Sequence, residues 1–144
     1  VGGEVVSRGI NQNKQKEWTV GIYDPQVEFG RRLKLAIHLK DRAMASSGNY
    51  RKFRIDSLTG MKYVHTIDPK TGFTKNSNML GATVLAASCA EADGYATAFM
   101  AMPLAESIAF LSAHQELDGY LIYVDDDGEL QEFRTPGFQE LVAY

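Results

Sequence analysis

Polar and apolar residues alternate through Glu17-Trp18-Thr19-Val20-Gly21-Ile22-Tyr23, which predicts a strand with Trp18, Val20 and Ile22 on one face, ended by Asp24-Pro25. The same period runs from Leu33 to Leu39, placing Leu33, Leu35, Ile37 and Leu39 inward and His38 outward as a solvated residue. The small and turn-forming residues Ala45-Ser46-Ser47-Gly48-Asn49-Tyr50 read as a loop. Alternation resumes from Tyr50 to Ile55, turn formers occupy Asp56 to Gly60, and Met61 to Ile67 returns as the second arm of a hairpin.

Farther on, the apolar run Ala82 to Ala87 leads into Ser88-Cys89-Ala90-Glu91, the serine-to-glutamate spacing of a capping box. A helix is predicted from there through Ala101, and Pro103 suits the first turn of a second helix through Ser112. Tyr120 to Val124 reads as a buried strand, Asp125 to Gly128 as a turn, and Leu130 to Arg134 as an edge strand that pairs back. Several strands, a helical pair and two closing strands predict an α+β fold with mostly antiparallel sheets. No repeat and no proline- or glycine-rich linker divides residues 1–144, so they are expected to form one domain.

Composition narrows the possibilities. The formal net charge is -3 and the basic residues are scattered, so there is no basic face for a nucleic-acid backbone. Cys89, the single cysteine, excludes an internal disulfide and a cysteine-rich zinc site, and its small neighbours suggest burial. No apolar run reaches the length of a membrane span, and no signal peptide is visible. The chain opens on Val1-Gly2-Gly3 and an alternating strand pattern, which reads as the interior of a domain. It is therefore expected to be the C-terminal part of a larger domain, with cut core surface that favours self-association.

Two places could carry chemistry. In Tyr63-Val64-His65-Thr66-Ile67-Asp68-Pro69-Lys70-Thr71-Gly72, an imidazole sits at a strand end just before a turn, a position suited to proton transfer or to a structural bond. On the predicted helix, Asp93 and Thr97 are four residues apart and share a face, so a carboxylate and a hydroxyl could both ligate a hard cation such as magnesium. The alternative is that Asp93 complements the helix dipole and Thr97 bonds back to a carbonyl of its own helix. Gly94 between them costs a helix about 1 kcal/mol relative to alanine and asks for a packing or ligand reason. The Asp125-Asp126-Asp127-Gly128 run lacks the remaining ligands of a calcium loop and reads as a hairpin turn.

Taken in order, these motifs resemble the ApbE family, the FAD:protein FMN transferases. Val1-Gly2-Gly3-Glu4-Val5 and Trp18-Thr19-Val20-Gly21-Ile22-Tyr23-Asp24-Pro25 are similar to the family's glycine-pair and "W-x-V-G-I-x-x-P" strands. Ala45 to Tyr50 resembles its "T-S-G-D-Y" loop, with Ser46 and Asn49 as departures. His65 to Gly72 resembles "H-I-I-D-P-x-T-G", with Thr66 for isoleucine. Gly81 to Val84 and Ala92 to Ala98 resemble its "S-V-T-V" strand and "A-D-A-x-A-T-A" helix.

The resemblance implies a T-fold-like domain and an enzyme that uses magnesium to split FAD. It would link FMN to a threonine hydroxyl of a target protein and release AMP. His65 would be the base, Asp93 and Thr97 metal ligands, and Ser47, Gly48, Tyr50, His65 and Asp68 residues bordering the flavin nucleotide. A third metal ligand, a backbone carbonyl, would lie upstream. Implied partners are flavin-accepting subunits of membrane electron-transfer complexes, met by a lipoprotein on the periplasmic face of the inner membrane. The same residues leave open hydrolysis of FAD to FMN and AMP, or flavin binding without catalysis.

Overall fold

The structure, a computed structural model, describes residues 4–24, 32–48, 53–55, 57–58, 62–64, 66–74 and 77–143. In chain order its elements are β1 (Val5–Val6), β2 (Trp18–Tyr23), β3 (Leu33–Leu39), β4 (Ala43–Gly48), β5 (Phe53–Ile55), β6 (Lys62–Val64), β7 (Met79–Ala86), α1 (Cys89–Ala101), α2 (Leu104–Ala113), β8 (Asp118–Val124), β9 (Leu130–Arg134) and α3 (Pro136–Leu141). Strands β1-β4-β7-β8-β9, in that order, form an antiparallel sheet, while β2-β3 and β5-β6 are separate antiparallel hairpins. The expected α+β class with antiparallel sheets is therefore observed.

Side-chain alternation across the main sheet divides the core in two. On one face Ala45, Ala82, Val84, Ala86 and Leu121 pack with Ala92, Ala96, Phe99 and Met100 of α1 and Leu111 of α2. On the other, Met44, Leu85, Tyr120 and Ile122 meet Ile22, Leu35, Ile37 and Leu39 of the β2-β3 hairpin, with Phe138 of α3 stacked on Tyr120 at a centroid distance of 5.3 Å. The predicted capping box is formed: the Ser88 hydroxyl accepts from Glu91 N–H at 3.3 Å, and Ser88 N–H donates to the Glu91 carboxylate at 3.1 Å. Pro103 is the residue before α2 rather than its first turn.

Other expectations are corrected. Residues 43–48 are an interior strand, not a loop, because Ala43 and Ala45 are small enough for α1 to lie directly on them and burial outweighs weak strand propensity. Leu33 does not point inward: a register shift between Ile22 and Tyr23 turns it onto the outer face, where its side chain occupies the space a Cβ would need at Gly21. Trp18, which shares a face of β2 with Val20 and Ile22 as expected, lies at its exposed end, and its indole N–H donates to Arg8 C=O at 3.2 Å. His38 is half-buried rather than solvated, its Nδ1 enclosed without a hydrogen-bond partner among the described residues. Cys89 is half-buried. Helix α3, unmarked by the hydrophobic period, is capped by the Thr135 hydroxyl and begins on a proline. No described helix is long and apolar enough to cross a membrane.

Candidate functional site

The C-terminal end of β4 and the exposed face of α1 meet because the residues between them are small. Ser47 pairs with Ala82 of β7, and by alternation its side chain faces α1 while that of Ser46 faces the hairpin. The result is a hydroxyl pair on each side of the sheet: Ser47 Oγ lies 3.4 Å from Thr97 Oγ1, and Ser46 Oγ lies 2.8 Å from Thr83 Oγ1. Thr97 and Asp93 are both exposed on α1. Among the described residues Asp93 has no ion-pair or hydrogen-bond partner, and Thr97 makes no bond back to a carbonyl of its own helix.

That geometry decides one alternative left by the sequence. The Thr97 hydroxyl oxygen contacts Ser47 Oγ of β4, and among the described residues it makes no bond to a carbonyl of its own helix. The first-turn acid of α1 is Glu91, so Asp93 is not the residue that caps this end. A carboxylate and a hydroxyl, both solvent-facing hard oxygens, fit a cation that takes few protein ligands and completes its shell with water or phosphate. The described residues contain no cluster of three His, Cys, Asp or Glu, so any such site draws its remaining ligands from elsewhere. Among the described residues a Cβ on Gly94 would meet nothing within 4 Å, so no packing among them accounts for the glycine.

Residues 66–74 form a second part of the site. Ile67 and Thr74 bridge, Asp68 N–H donates to Phe73 C=O at 2.9 Å, and Gly72 takes the left-handed φ of 75° that closes the turn. Asp68 Oδ1 accepts from Lys70 N–H at 2.8 Å, an Asx turn, so this carboxylate shapes the loop that follows His65. The loop borders α1: a cleft of about 240 Å3 is lined by Asp68, Pro69, Lys70, Ala98, Ala101 and Met102, with Pro103 and Glu106 beyond. A second cleft, also about 240 Å3, lies between β2 and the sheet and has Ser46, Ser47, Gly48, Gly81 and Thr83 in its wall.

Of the residues singled out in the sequence, Ser47 and Thr97 meet where β4 packs on α1, with Gly48 next to Ser47 and Asp93 one turn from Thr97, and Asp68 lies beside the last turn of the same helix. His65 and Tyr50 lie outside the described residues, as do Pro25, Asn49, Asp56, Thr59 and Gly60 of the predicted turns and loop, and Val1, Gly2 and Gly3. The Asp125 run is a turn as expected, with Asp125 Oδ1 accepting from Asp127 and Glu129 N–H at 3.1 and 2.8 Å. The hydrogen bond from Gln131, together with these amides, holds the Asp125 carboxyl below the usual range. Thr83 is the polar partner that sequence reading passed over. Its signal was a hydroxyl inside an apolar strand, which needs a bonding partner once buried.

Residues 1–121 match the family model described as the ApbE family. The chain is 34% identical over 143 residues to the FAD:protein FMN transferase of Vibrio cholerae, an alignment that covers 99% of this chain and 41% of that protein. It is 32% identical over 128 residues to the FAD:protein FMN transferase of Haemophilus influenzae, covering 89% of this chain and 36% of that protein. Among solved structures, the flavin transferase ApbE from Vibrio cholerae matches with a TM-score of 0.76 and 33% identity, over 98% of this chain and 42% of that one. The apo form of Pseudomonas stutzeri flavinyl transferase ApbE shares the fold, with a TM-score of 0.75 at 24% identity over all of this chain and 42% of that one. The chain thus spans about two-fifths of the length of the curated relatives it matches.

Proposed function

The chain belongs to the ApbE family, and on that premise we propose that it is the C-terminal portion of an FAD:protein FMN transferase. His65 takes the proton from a threonine hydroxyl of the acceptor protein as its oxygen attacks the FMN-side phosphorus of FAD. The phosphorus–oxygen bond to the AMP half breaks, and AMP leaves with the bridging oxygen. Asp93 and Thr97 would hold a magnesium ion, whose charge would offset that of the pyrophosphate. Asp68 shapes the turn that follows His65 in sequence, its Oδ1 accepting from Lys70 N–H. Ser47, Gly48 and Tyr50 border the nucleotide. Acceptors are flavin-carrying subunits of electron-transfer complexes at a membrane, which the enzyme meets as an exported lipoprotein.

The observation that carries this reading is the family match across residues 1–121, which includes every residue given a role here. The gathering of Ser47, Asp93 and Thr97 at one junction, with the Asp68 turn along the same helix, adds geometric support. The test uses a full-length protein carrying this chain, with FAD, magnesium and a threonine-bearing acceptor domain, followed by intact-mass spectrometry and nucleotide chromatography. The expected result is a mass gain of one FMN with release of AMP, both lost in His65→Ala. FMN and AMP free in solution without acceptor labelling would make it an FAD hydrolase. FAD retained intact, with no product, would leave a flavin-binding module and overturn the enzyme reading.

A further inference from the structure

Hydroxyl groups on the two helices behave differently. In α2, Ser107 donates to Pro103 C=O at 3.2 Å and Ser112 to Ile108 C=O at 2.8 Å, the usual bond to the carbonyl one turn back. In α1, Thr97 makes no such bond, and its hydroxyl contact among the described residues is Ser47 Oγ, fifty positions away in sequence at 3.4 Å. At 3.4 Å the contact is longer than an ordinary hydroxyl–hydroxyl bond, so it adds little to the stability of the fold itself.

A neutral hydroxyl offers one hydrogen and two lone pairs, and to ligate a cation it must point a lone pair at the ion and give its hydrogen to another acceptor. A bond to its own helix would draw the Thr97 hydrogen, and the oxygen with it, toward the Asp93 carbonyl. A contact to β4 leaves the Thr97 oxygen free of its own helix backbone, on the helix face it shares with Asp93 one turn away. Ser47 is the residue placed for this. Its neighbour Ser46 faces the opposite side of the sheet and is bonded to Thr83, and a one-residue slip of β4 would put a glycine or that committed serine in register.

Resting on the metal reading proposed above, we infer that Ser47 is a positioning residue: it accepts the Thr97 hydroxyl hydrogen and so aims the Thr97 oxygen at a hard divalent cation. Partners of this kind, one bond removed from a metal, typically affect affinity ten- to a hundredfold. The experiment measures Mn2+ binding to a full-length protein carrying this chain, by the loss of the free-ion electron paramagnetic resonance signal, with thermal unfolding as a check on folding. Ser47→Ala is expected to weaken binding about tenfold or more and Ser47→Thr to retain it. Ser47→Ala made on top of Thr97→Ala is expected to add no further loss.

Unchanged affinity in Ser47→Ala, with Asp93→Ala losing the ion, overturns this inference alone. So does a loss that Ser47→Ala adds in full to Thr97→Ala, since Ser47 then acts independently of Thr97. Unchanged binding in Asp93→Ala overturns the metal reading and this inference together.

Discussion

At the beginning of β4, Arg42 reaches Asp118 of β8 and donates to Leu85 C=O, and the other Asp118 oxygen accepts from the buried Thr135 hydroxyl at 2.9 Å. Thr135 in turn accepts from Gly119 and Phe138 N–H, both at 3.2 Å, which ties β8 to the start of α3. At the other end of the same strand, half-buried Ser47 and exposed Thr97 share one long contact among the described residues, and Asp93, one turn away on α1, is exposed. In the first cluster Asp118 and Thr135 are buried beneath a half-buried Arg42, and their polar atoms satisfy one another, as the cost of an unpaired buried group demands. The second keeps its oxygens available. One strand thus carries a polar cluster that holds the fold at one end and, at the other, a polar cluster free to bind something else.

The largest effect tests that division directly. Asp93→Asn and Thr97→Val should each lower FMN transfer at least about a hundredfold, as loss of a metal ligand or an aimed electrostatic group does. Both should leave the unfolding midpoint within about 3 °C, since exposed positions seldom matter to stability. A large fall in the midpoint would make this end structural too and erase the contrast.

At the opposite end the signs reverse. A Cβ on Gly137 would lie 2.2 Å from Asp118 Oδ1, so Gly137→Ala must push the carboxylate off Thr135 and Arg42. Urea unfolding should show a loss of about 2–3 kcal/mol, with activity per folded molecule unchanged. Wild-type stability would mean that this cluster is not what fastens α3 to the sheet.

Gly94→Ala sharpens the comparison from the helix. With none of the described residues near the added methyl group, the chain should gain about 1 kcal/mol of stability from helix propensity. If a substrate or another part of a longer protein uses that face, transfer by the full-length protein should fall at the same time. Gain without loss would show that the face is open in the working enzyme.

The smallest effect concerns pH. Burial pushes the Glu132 carboxyl up, but hydrogen bonds from Lys34 at 2.8 Å and Arg134 at 2.7 Å outweigh it and hold the group below its ordinary value. A lowered folded-state value contributes stability above the ordinary glutamate range and loses it as pH falls through the lowered value. Unfolding measured from neutral pH downward should therefore decline less steeply in Glu132→Gln than in the unaltered chain. Parallel curves would remove Glu132 from the acid response.

Much was legible from local pattern. Strands β2, β3, β7 and β8 announce themselves by alternation or apolar runs, and the start of α1 by Ser88 and Glu91, because such signals are complete within a few residues. The residues of the candidate site were legible as motifs, through Ser47-Gly48 and the Asp93 to Thr97 spacing. Strand β4 was not legible, since alanine and serine favour a strand only once α1 and β7 enclose them. Nor was the outward turn of Leu33, which depends on a register shift against Tyr23. The sequence by itself determined the strands that carry a complete alternation or apolar run, the start of α1, and which oxygens lie on one face of α1. Tertiary structure alone decided that Thr97 turns toward Ser47, because a contact across fifty residues is set by strand register and small-residue packing that no local pattern contains.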